Sequence, residues 1–374
     1  MEKIYLDNNA TTKIDPLVLK EMQKDNLPYN PSSIHFFGRE AKKMLENARD
    51  SIASYLNVKS STLTFTSSGT EAVNMAIKGL LDKNKKAHII ASRSDHACVY
   101  NTLLNLESLG HELTFVPTTN ECCICLESIK KHLKENKNIE MIVTSYANSE
   151  TGAITNIEEL CKIAKENNIK LVVDAVGILG KETFKISEEI SAMCFSSHKI
   201  HGPKGVGLLY LNEKIEFNPI LFGGAQENSN HPGTENLMGI IGFSKAVSLL
   251  KEKLPKASQD MRMLRDYFEE NILKRVKSAK INGCRNRVSN TSNICFKDVD
   301  GESLLILLDQ NNILASLGSA CSSKAITPSR PLIEMGLSHK EARSSIRFSL
   351  SRETTKDEID KTIEIIIKII KNLS

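Results

Sequence analysis

The chain has 374 residues, 40% hydrophobic and 25% charged, with a formal net charge of +4. Such a chain can bury roughly three quarters of its unfolded surface, and its length suggests two to three domains. The even spread of charge excludes a dense basic surface for nucleic acid, and no window reaches the length of a membrane span.

The first residues, Met1-Glu2-Lys3-Ile4-Tyr5-Leu6-Asp7, lack the long apolar core of a signal peptide. Nine cysteines, an odd number scattered through a large chain, point to free thiols in a reducing compartment. The expectation is a soluble cytoplasmic protein. The one cysteine cluster, Cys122-Cys123-Ile124-Cys125, has no second ligand pair at a zinc spacing and reads as a turn.

From about residue 62 the pattern alternates short β-rich runs with helical stretches. Strands are expected at 63–66, 88–92, 113–116, 141–145, 171–174, 192–195 and 206–211, with helices at 71–81, 99–109 and 158–166. That alternation implies βαβ units around a mostly parallel sheet covered on both faces. Ligands of such sheets bind beyond the carboxyl ends of the strands. After about residue 242 a long helical stretch carries Leu249, Leu254, Met261, Leu264 and Phe268. A second αβ set follows at 292–296, 303–309, 313–316 and 345–350. Ile359, Ile363, Ile366 and Ile370 place an amphipathic helix at the end.

Chemistry-bearing residues fall at the strand ends. Ser67-Ser68-Gly69-Thr70-Glu71 follows the first strand and opens a helix, where free N–H groups and the dipole favour a phosphate, although Ser is also an ordinary cap. His96 follows the second strand and could stack on an aromatic ring or sit in a solvated loop. Asp174 ends a very apolar run, Leu171-Val172-Val173, so its carboxylate needs a cationic or N–H partner. Ser196-Ser197-His198-Lys199-Ile200-His201-Gly202-Pro203-Lys204-Gly205 puts hydroxyls, histidines and lysines at the end of a buried strand. A lysine there can form a Schiff base with a carbonyl cofactor. Lys199 adjoins His198 and follows the strand directly, so it is preferred over Lys204, while His201 and Lys204 support the turn. Leu317-Gly318-Ser319-Ala320-Cys321-Ser322-Ser323-Lys324 sets a cysteine in an exposed loop, as a candidate nucleophile. Arg347, on the strand Ser345-Ile346-Arg347-Phe348-Ser349, could fork onto a carboxylate. Together these parts describe a pyridoxal-phosphate enzyme acting on an amino acid.

The chain resembles the NifS/IscS-type cysteine desulfurases, a class V branch of the fold-type I pyridoxal-phosphate enzymes. The resemblance runs nearly end to end through ordered motifs, including Leu6-Asp7-Asn8-Asn9-Ala10-Thr11-Thr12, Asn30-Pro31-Ser32-Ser33-Ile34-His35, Val173-Asp174-Ala175-Val176, the Lys199 stretch, Gly233-Thr234-Glu235-Asn236, Asp300-Gly301-Glu302-Ser303 and Gly318-Ser319-Ala320-Cys321. It implies an α/β fold-type I transferase. Residues 14–250 would form a large cofactor domain around a mostly parallel seven-stranded sheet. Residues 1–13 and 251–374 would form a smaller α+β domain carrying the cysteine loop. It implies that Lys199 holds pyridoxal 5'-phosphate, that Gly69, Thr70, Ser196 and His198 bind its phosphate, and that Thr234 reaches it from the partner subunit of a homodimer. His96 would stack on the ring and move protons, and Asp174 would pair with the ring nitrogen. Arg347, Asn8 and Ser149 would hold the substrate, L-cysteine. Cys321 would take its sulfur as a persulfide, release L-alanine, and pass the sulfur to an acceptor protein for iron–sulfur clusters, thiolated tRNA or a sulfur-containing cofactor. Cys98, Cys122 and Cys284 stay open as members of a sulfur relay.

The pattern departs from the family at Ser149, where a second Asn is usual, at Gly177, where a Gln is usual, and at His231-Pro232, where Arg-Ser is usual. Leu317 stands where Ser is common. Each lost hydrogen bond to a charged partner costs about 1.5–3 kcal/mol. The expectation is therefore a slow, partner-dependent desulfurase or a changed substrate. Two further readings stand beside it: a related lyase or aminotransferase in which Cys321 is no acceptor, and a weakly active scaffold-like homologue.

Overall fold

The structure, a computed structural model, describes residues 3–24, 29–318 and 328–373. In chain order its elements are β1 (Ile4–Tyr5), α1 (Pro16–Lys24), α2 (Phe36–Leu56), β2 (Leu63–Thr66), α3 (Gly69–Gly79), β3 (His88–Ser92), α4 (Ala97–Ser108), β4 (Glu112–Val116), α5 (Leu126–Glu135), β5 (Ile139–Ser145), α6 (Ile157–Asn167), β6 (Lys170–Asp174), β7 (Ala192–Ser196) and β8 (Gly207–Leu211). They continue with α7 (Leu237–Arg275), β9 (Ala279–Ile281), β10 (Thr291–Phe296), α8 (Gly301–Gln310), β11 (Ile313–Leu314), α9 (Arg330–Glu334), α10 (His339–Arg343), β12 (Ser345–Ser349) and α11 (Lys356–Leu373).

A seven-stranded sheet runs in the order β2-β8-β7-β6-β5-β3-β4. All its neighbouring pairs are parallel except the two that β8 makes, with β2 and with β7. Because β8 reverses twice over, β2 points the same way as β7. The C-terminal ends of β2, β3, β5, β6 and β7 therefore share one edge, with Ser145 in register with Asp174 and Asp174 with Cys194. Strands β3, β7 and β8 are buried along their whole length, and β5 and β6 but for Glu140 and Lys170, as expected of strands covered on both faces. One apolar cluster built on α2, α6 and the first part of α7 packs one side, and another built on α3 and α4 packs the other.

A second body forms around β12-β10-β9, α8 and α11, with its own core of Phe268, Ile294, Phe296, Phe348 and the isoleucines of α11. The chain start belongs to this core: Ile4 and Leu6 are buried in it, and β1 pairs in parallel with β11. The start also makes ion pairs with β12 and the residues that follow it. Arg347 pairs with Asp7 at 2.8 Å, and Arg352 pairs with Asp15. Among the described residues no helix is long and apolar enough to cross a membrane.

The long helix begins earlier than its apolar spacing suggests. Gly239 and Gly242 look like loop residues, yet both lie inside α7. A Cβ at Gly239 would stand 2.4 Å from Val206, and one at Gly242 2.7 Å from the Met22 sulfur. These glycines let the helix approach its neighbours rather than break it.

Candidate active site

A cavity opens at the shared C-terminal edge. It is lined by Ser68, Gly69 and Thr70 after β2, His96 after β3, Ala147–Ser149 after β5, Asp174 at the end of β6, and Ser196, His198 and Lys199 after β7. Asn9, Ala10, Cys98, Val176, Gly177 and Lys181 add to the wall, with Ser145 and Val288. Eight of the residues expected to act together, Gly69, Thr70, His96, Ser149, Asp174, Ser196, His198 and Lys199, thus meet in one place.

The cup at the start of α3 is built from backbone. Ser68 is the N-cap, its side chain accepting the Glu71 N–H, and Gly69 is the first helical residue. A Cβ on Gly69 would come within 2.9 Å of Val176 and 3.2 Å of Ser196, so only glycine keeps the helix start this close to the end of β7. Glu71 accepts from Ser67 and pairs with His231 at 3.0 Å. The His231 side chain thereby ties the segment before Thr234 to the cup, in the position where the related pattern has Arg.

Lys199 ends the short turn after β7. Its ammonium donates to the Asn9 carbonyl and, at 2.9 Å, to that of Ala10. Two backbone carbonyls of the chain start thus receive the amine. His198 lies 3.1 Å from the Thr11 hydroxyl through Nδ1, and burial among Lys199, Lys204 and Lys181 pushes it down to about 4, so it is neutral near pH 7. His201 has a left-handed backbone, donates Nδ1–H to the Lys13 carbonyl, and takes the Thr12 hydroxyl on its own N–H. Lys204 is exposed. Both support the turn rather than the cavity.

Asp174 is fully buried, and burial raises its carboxyl above the usual range against the opposing pull of His96 and Lys199. Its Oδ1 accepts the Val176 N–H at 3.0 Å. No ion pair of Asp174 occurs among the described residues, so a buried carboxylate faces the cavity without a cation. Asp95, buried beneath the same edge, accepts the Ser145 N–H at 2.8 Å and is pushed up to about 6 by burial and by Asp174. His96 caps α4, its Nδ1 accepting the Cys98 N–H at 3.2 Å.

The altered side of the cavity has its own geometry. A Cβ at Gly177 would stand 2.5 Å from the Ala147 carbonyl oxygen, so β5 and the turn after β6 are closed against each other there. The Ser149 carbonyl accepts from Arg347 at 3.0 Å and from Asn9 at 3.2 Å. Arg347 therefore reaches this side through Ser149, although its own guanidinium is buried and committed to Asp7 as well. Asn8 takes a different place from the one expected. Its amide donates to the Tyr5 and Ser349 carbonyls, which joins the chain start to β12, and it is the next residue, Asn9, that lines the cavity. Thr234 is exposed and does not line the cavity of its own chain. Cys321 lies outside the described residues, whose nearest flanks are Gly318 and Pro328. Arg330, in the described chain beyond, donates to the carbonyls of Arg93 and Asp95 and lies over the Tyr100 ring at 3.7 Å, so the chain at Arg330 is anchored next to the residue before His96.

Sequence reasoning missed Lys181. It is buried, lines the cavity, makes no hydrogen bond through its ammonium among the described residues, and is pushed down to about 7 by burial, Lys199 and Arg347. Nothing in its local sequence marks it, because the turn that carries it inward depends on Gly180 at φ +75°.

The aminotransferase class-V family profile matches residues 4–362. A protein named cysteine desulfurase from Nostoc sp. is 39% identical over 378 residues, covering 100% of this chain and 94% of its own. A solved structure described as a NifS-like protein superposes with a TM-score of 0.92 at 31% identity, covering 99% of this chain and all of its own. Another, described as SspA in complex with cysteine, superposes with a TM-score of 0.82 at 31% identity over 94% of this chain and all of its own.

Proposed function

The chain belongs to the aminotransferase class-V family and, within it, to the cysteine desulfurases, and from that membership we propose that it converts L-cysteine to L-alanine with pyridoxal 5'-phosphate and loads the sulfur on Cys321 as a persulfide. The observation that carries this reading is the meeting of Lys199, Asp174, His96 and the Ser68–Thr70 cup in one cavity. The residues fit the cofactor. A buried carboxylate with no cation awaits a protonated ring nitrogen, and the cup leaves no room for a side chain on Gly69. The cofactor, when bound, supplies an electron sink for the substrate carbons.

In this reading Lys199 would hold the cofactor and Asp174 would keep its ring nitrogen protonated. Ser196, Thr70, the Gly69 backbone and neutral His198 take the phosphate, with Thr234 of a second copy completing the cup. His96 would lie against the ring. Arg347 holds the substrate carboxylate, for which it must share or release Asp7. The Cys321 thiolate attacks the substrate sulfur, the sulfur–carbon bond breaks, and its electron pair stays with the carbon, which takes a proton to give alanine. We read residues 14–250 as the cofactor unit, with 1–13 and 251–374 as the unit carrying Cys321. The persulfide would pass to a sulfur-acceptor protein for cluster or thio-cofactor synthesis, in the cytoplasm, from a homodimer.

The closed gap at Gly177 and the short Ser149 favour a slow enzyme. Purified protein mixed with L-cysteine and a reductant is expected to yield alanine and sulfide in equal amounts, slowly. Cys321→Ser is expected to stop sulfide release. Continued amino-group transfer without sulfide would support an aminotransferase instead, and fast turnover without a partner would overturn the slow reading.

A further inference from the structure

Arg347, the arginine expected to hold the substrate carboxylate, stands behind the cavity wall. Its guanidinium is buried, is held by Asp7 and the Ser149 carbonyl, and does not line the cavity. Lys181 has the opposite character. It lines the cavity at 6% exposure, and its ammonium makes no hydrogen bond among the described residues. The other lysine of the wall, Lys199, is received by the Asn9 and Ala10 carbonyls and is the one that would hold the cofactor. Lys181 is left for a further ligand.

Its backbone is fixed on both sides. The Lys181 N–H donates to the Ile178 carbonyl at 3.1 Å, and its carbonyl accepts the Ser289 hydroxyl at 2.9 Å. The turn before it is tight: Gly180 has φ +75°, and a Cβ there would stand 2.6 Å from Ile200. The side chain is thus built into the wall. A buried amine costs stability until an anion meets it, and a wall that carries this cost marks a ligand position.

We propose that Lys181 is a second cation for the carboxylate of the amino-acid substrate, meeting it at the cavity wall while Arg347 is still shared with Asp7. The inference rests on the desulfurase reading and adds to it a residue for substrate recognition. The phosphate has its own cup at Ser68–Thr70, so the anion left for Lys181 is the substrate's, held by a charge-assisted hydrogen bond. In the empty cavity, burial together with Lys199 and Arg347 pushes the amine down to about 7. His96, Cys98, Asp174 and His198 line the same cavity, and His201 and Arg352 line a narrower void that Lys181 also borders. An arriving carboxylate therefore draws a proton from solvent onto Nζ. One N–H bond forms, the ammonium donates to a carboxylate oxygen, and nothing is oxidised or reduced. Below pH 7 the amine already holds that proton and uptake vanishes. Above pH 7 uptake rises toward one proton, and carboxylate affinity falls.

The test uses the holoenzyme and propionate, which has the carboxylate of alanine but no amine to react with the cofactor. Calorimetry in two buffers of different ionisation enthalpy reads binding and proton uptake together. The parent is expected to bind propionate, with uptake growing from about pH 6 to about pH 8, and to ignore the uncharged propionamide. Lys181→Met should weaken propionate binding about 10–100-fold and abolish the uptake. It should raise KM for L-cysteine by a similar factor, with a smaller change in kcat. Lys181→Gln should do the same and serves if the methionine variant misfolds. Propionate affinity, proton uptake and KM that stay at parental values in both variants would overturn the proposal. So would a change confined to the pH profile of turnover, which would make Lys181 a neighbour that only tunes Lys199. Protein that is inactive on L-cysteine yet binds propionate through Lys181 would sink the proposed function and leave the carboxylate site standing. Active protein whose KM survives both substitutions would do the reverse.

Discussion

Lys181 shows at the scale of one residue how the cavity constrains its wall. A buried amine near Lys199 and Arg347 is easier to hold neutral than charged. Its folded value, about 7, lies below the ordinary 10.5, so between those values the unfolded chain keeps a proton that the folded chain gives up. Stability is therefore lowered in full below pH 7 and recovers as pH rises toward 10.5. For cofactor-free Lys181→Met, the stability relative to the parent should be most favourable below pH 7 and decline steadily across that window, as measured by urea unfolding. A difference that does not change with pH would show that the amine titrates normally. Gly177 makes the complementary point. Restoring the family's glutamine there should not rescue rate, because its Cβ meets the Ala147 carbonyl at 2.5 Å. Gly177→Gln is expected to cost about 1–3 kcal/mol by overpacking and to weaken cofactor retention, both readable by thermal unfolding with and without the cofactor. A variant as stable as the parent, with faster turnover, would mean that β5 and the turn after β6 can part.

Most elements around the site were legible because period and punctuation agreed. The strands 63–66, 88–92 and 192–195 are short β-branched or apolar runs that end in hydroxyls, and they appear within a residue of the expected bounds. Helices α2 and α5 went unread although their spacing was available: Ala41, Leu45, Ala48 and Ile52 line one face of α2, and Ile129 and Leu133 one face of α5. Alanines weaken the apolar signal, and the charged face of α5 looks like a loop. What no local pattern could supply is the pairing of distant elements. Arg49 of α2 forks onto Glu227 at 2.7 and 2.6 Å, and the same carboxylate accepts the Phe65 N–H of β2 at 2.7 Å. Glu227 sits in a left-handed turn and is buried, so this knot fastens the segment leading to Thr234 against the β2 edge of the sheet. Glu227→Ala removes the fork and leaves the Phe65 N–H without its acceptor, while Arg49 keeps Glu46 at 3.0 Å and the Leu63 carbonyl, and it is expected to cost about 1–3 kcal/mol in denaturant unfolding. A loss below about 1 kcal/mol would mean that solvent reaches Arg49 once its partner is gone.

At the scale of the whole molecule, the site is assembled from both ends of the chain. Asn9 and Ala10 receive the Lys199 amine, and Asp7 holds Arg347, so the first residues act as a strap between the two apolar cores. The family resemblance made the strap's motif legible, but not the division of labour within it, in which Asn8 joins β12 and Asn9 faces the cavity. One expected contributor remains outside the cavity of its own chain. Thr234 is exposed, and the surface also carries Ile34 at 92% and Phe222 at 84% exposure, with Phe36 and Phe37 beside Ile34. Contiguous exposed apolar patches mark surfaces that meet another molecule, and Phe36 and Phe37, in edge contact beside Ile34, form such a patch. A homodimer that covers them and brings in Thr234 accounts for both facts at once. Light scattering should report a dimer. The double substitution Ile34→Asp and Phe222→Asp should shift it to monomer while leaving the far-UV circular dichroism unchanged, since neither side chain packs in a core. If Thr234 of a second copy completes the phosphate cup, as proposed, cofactor retention through gel filtration should fall in the same variant. A monomeric parent that keeps its cofactor would show that the cup is complete within one chain.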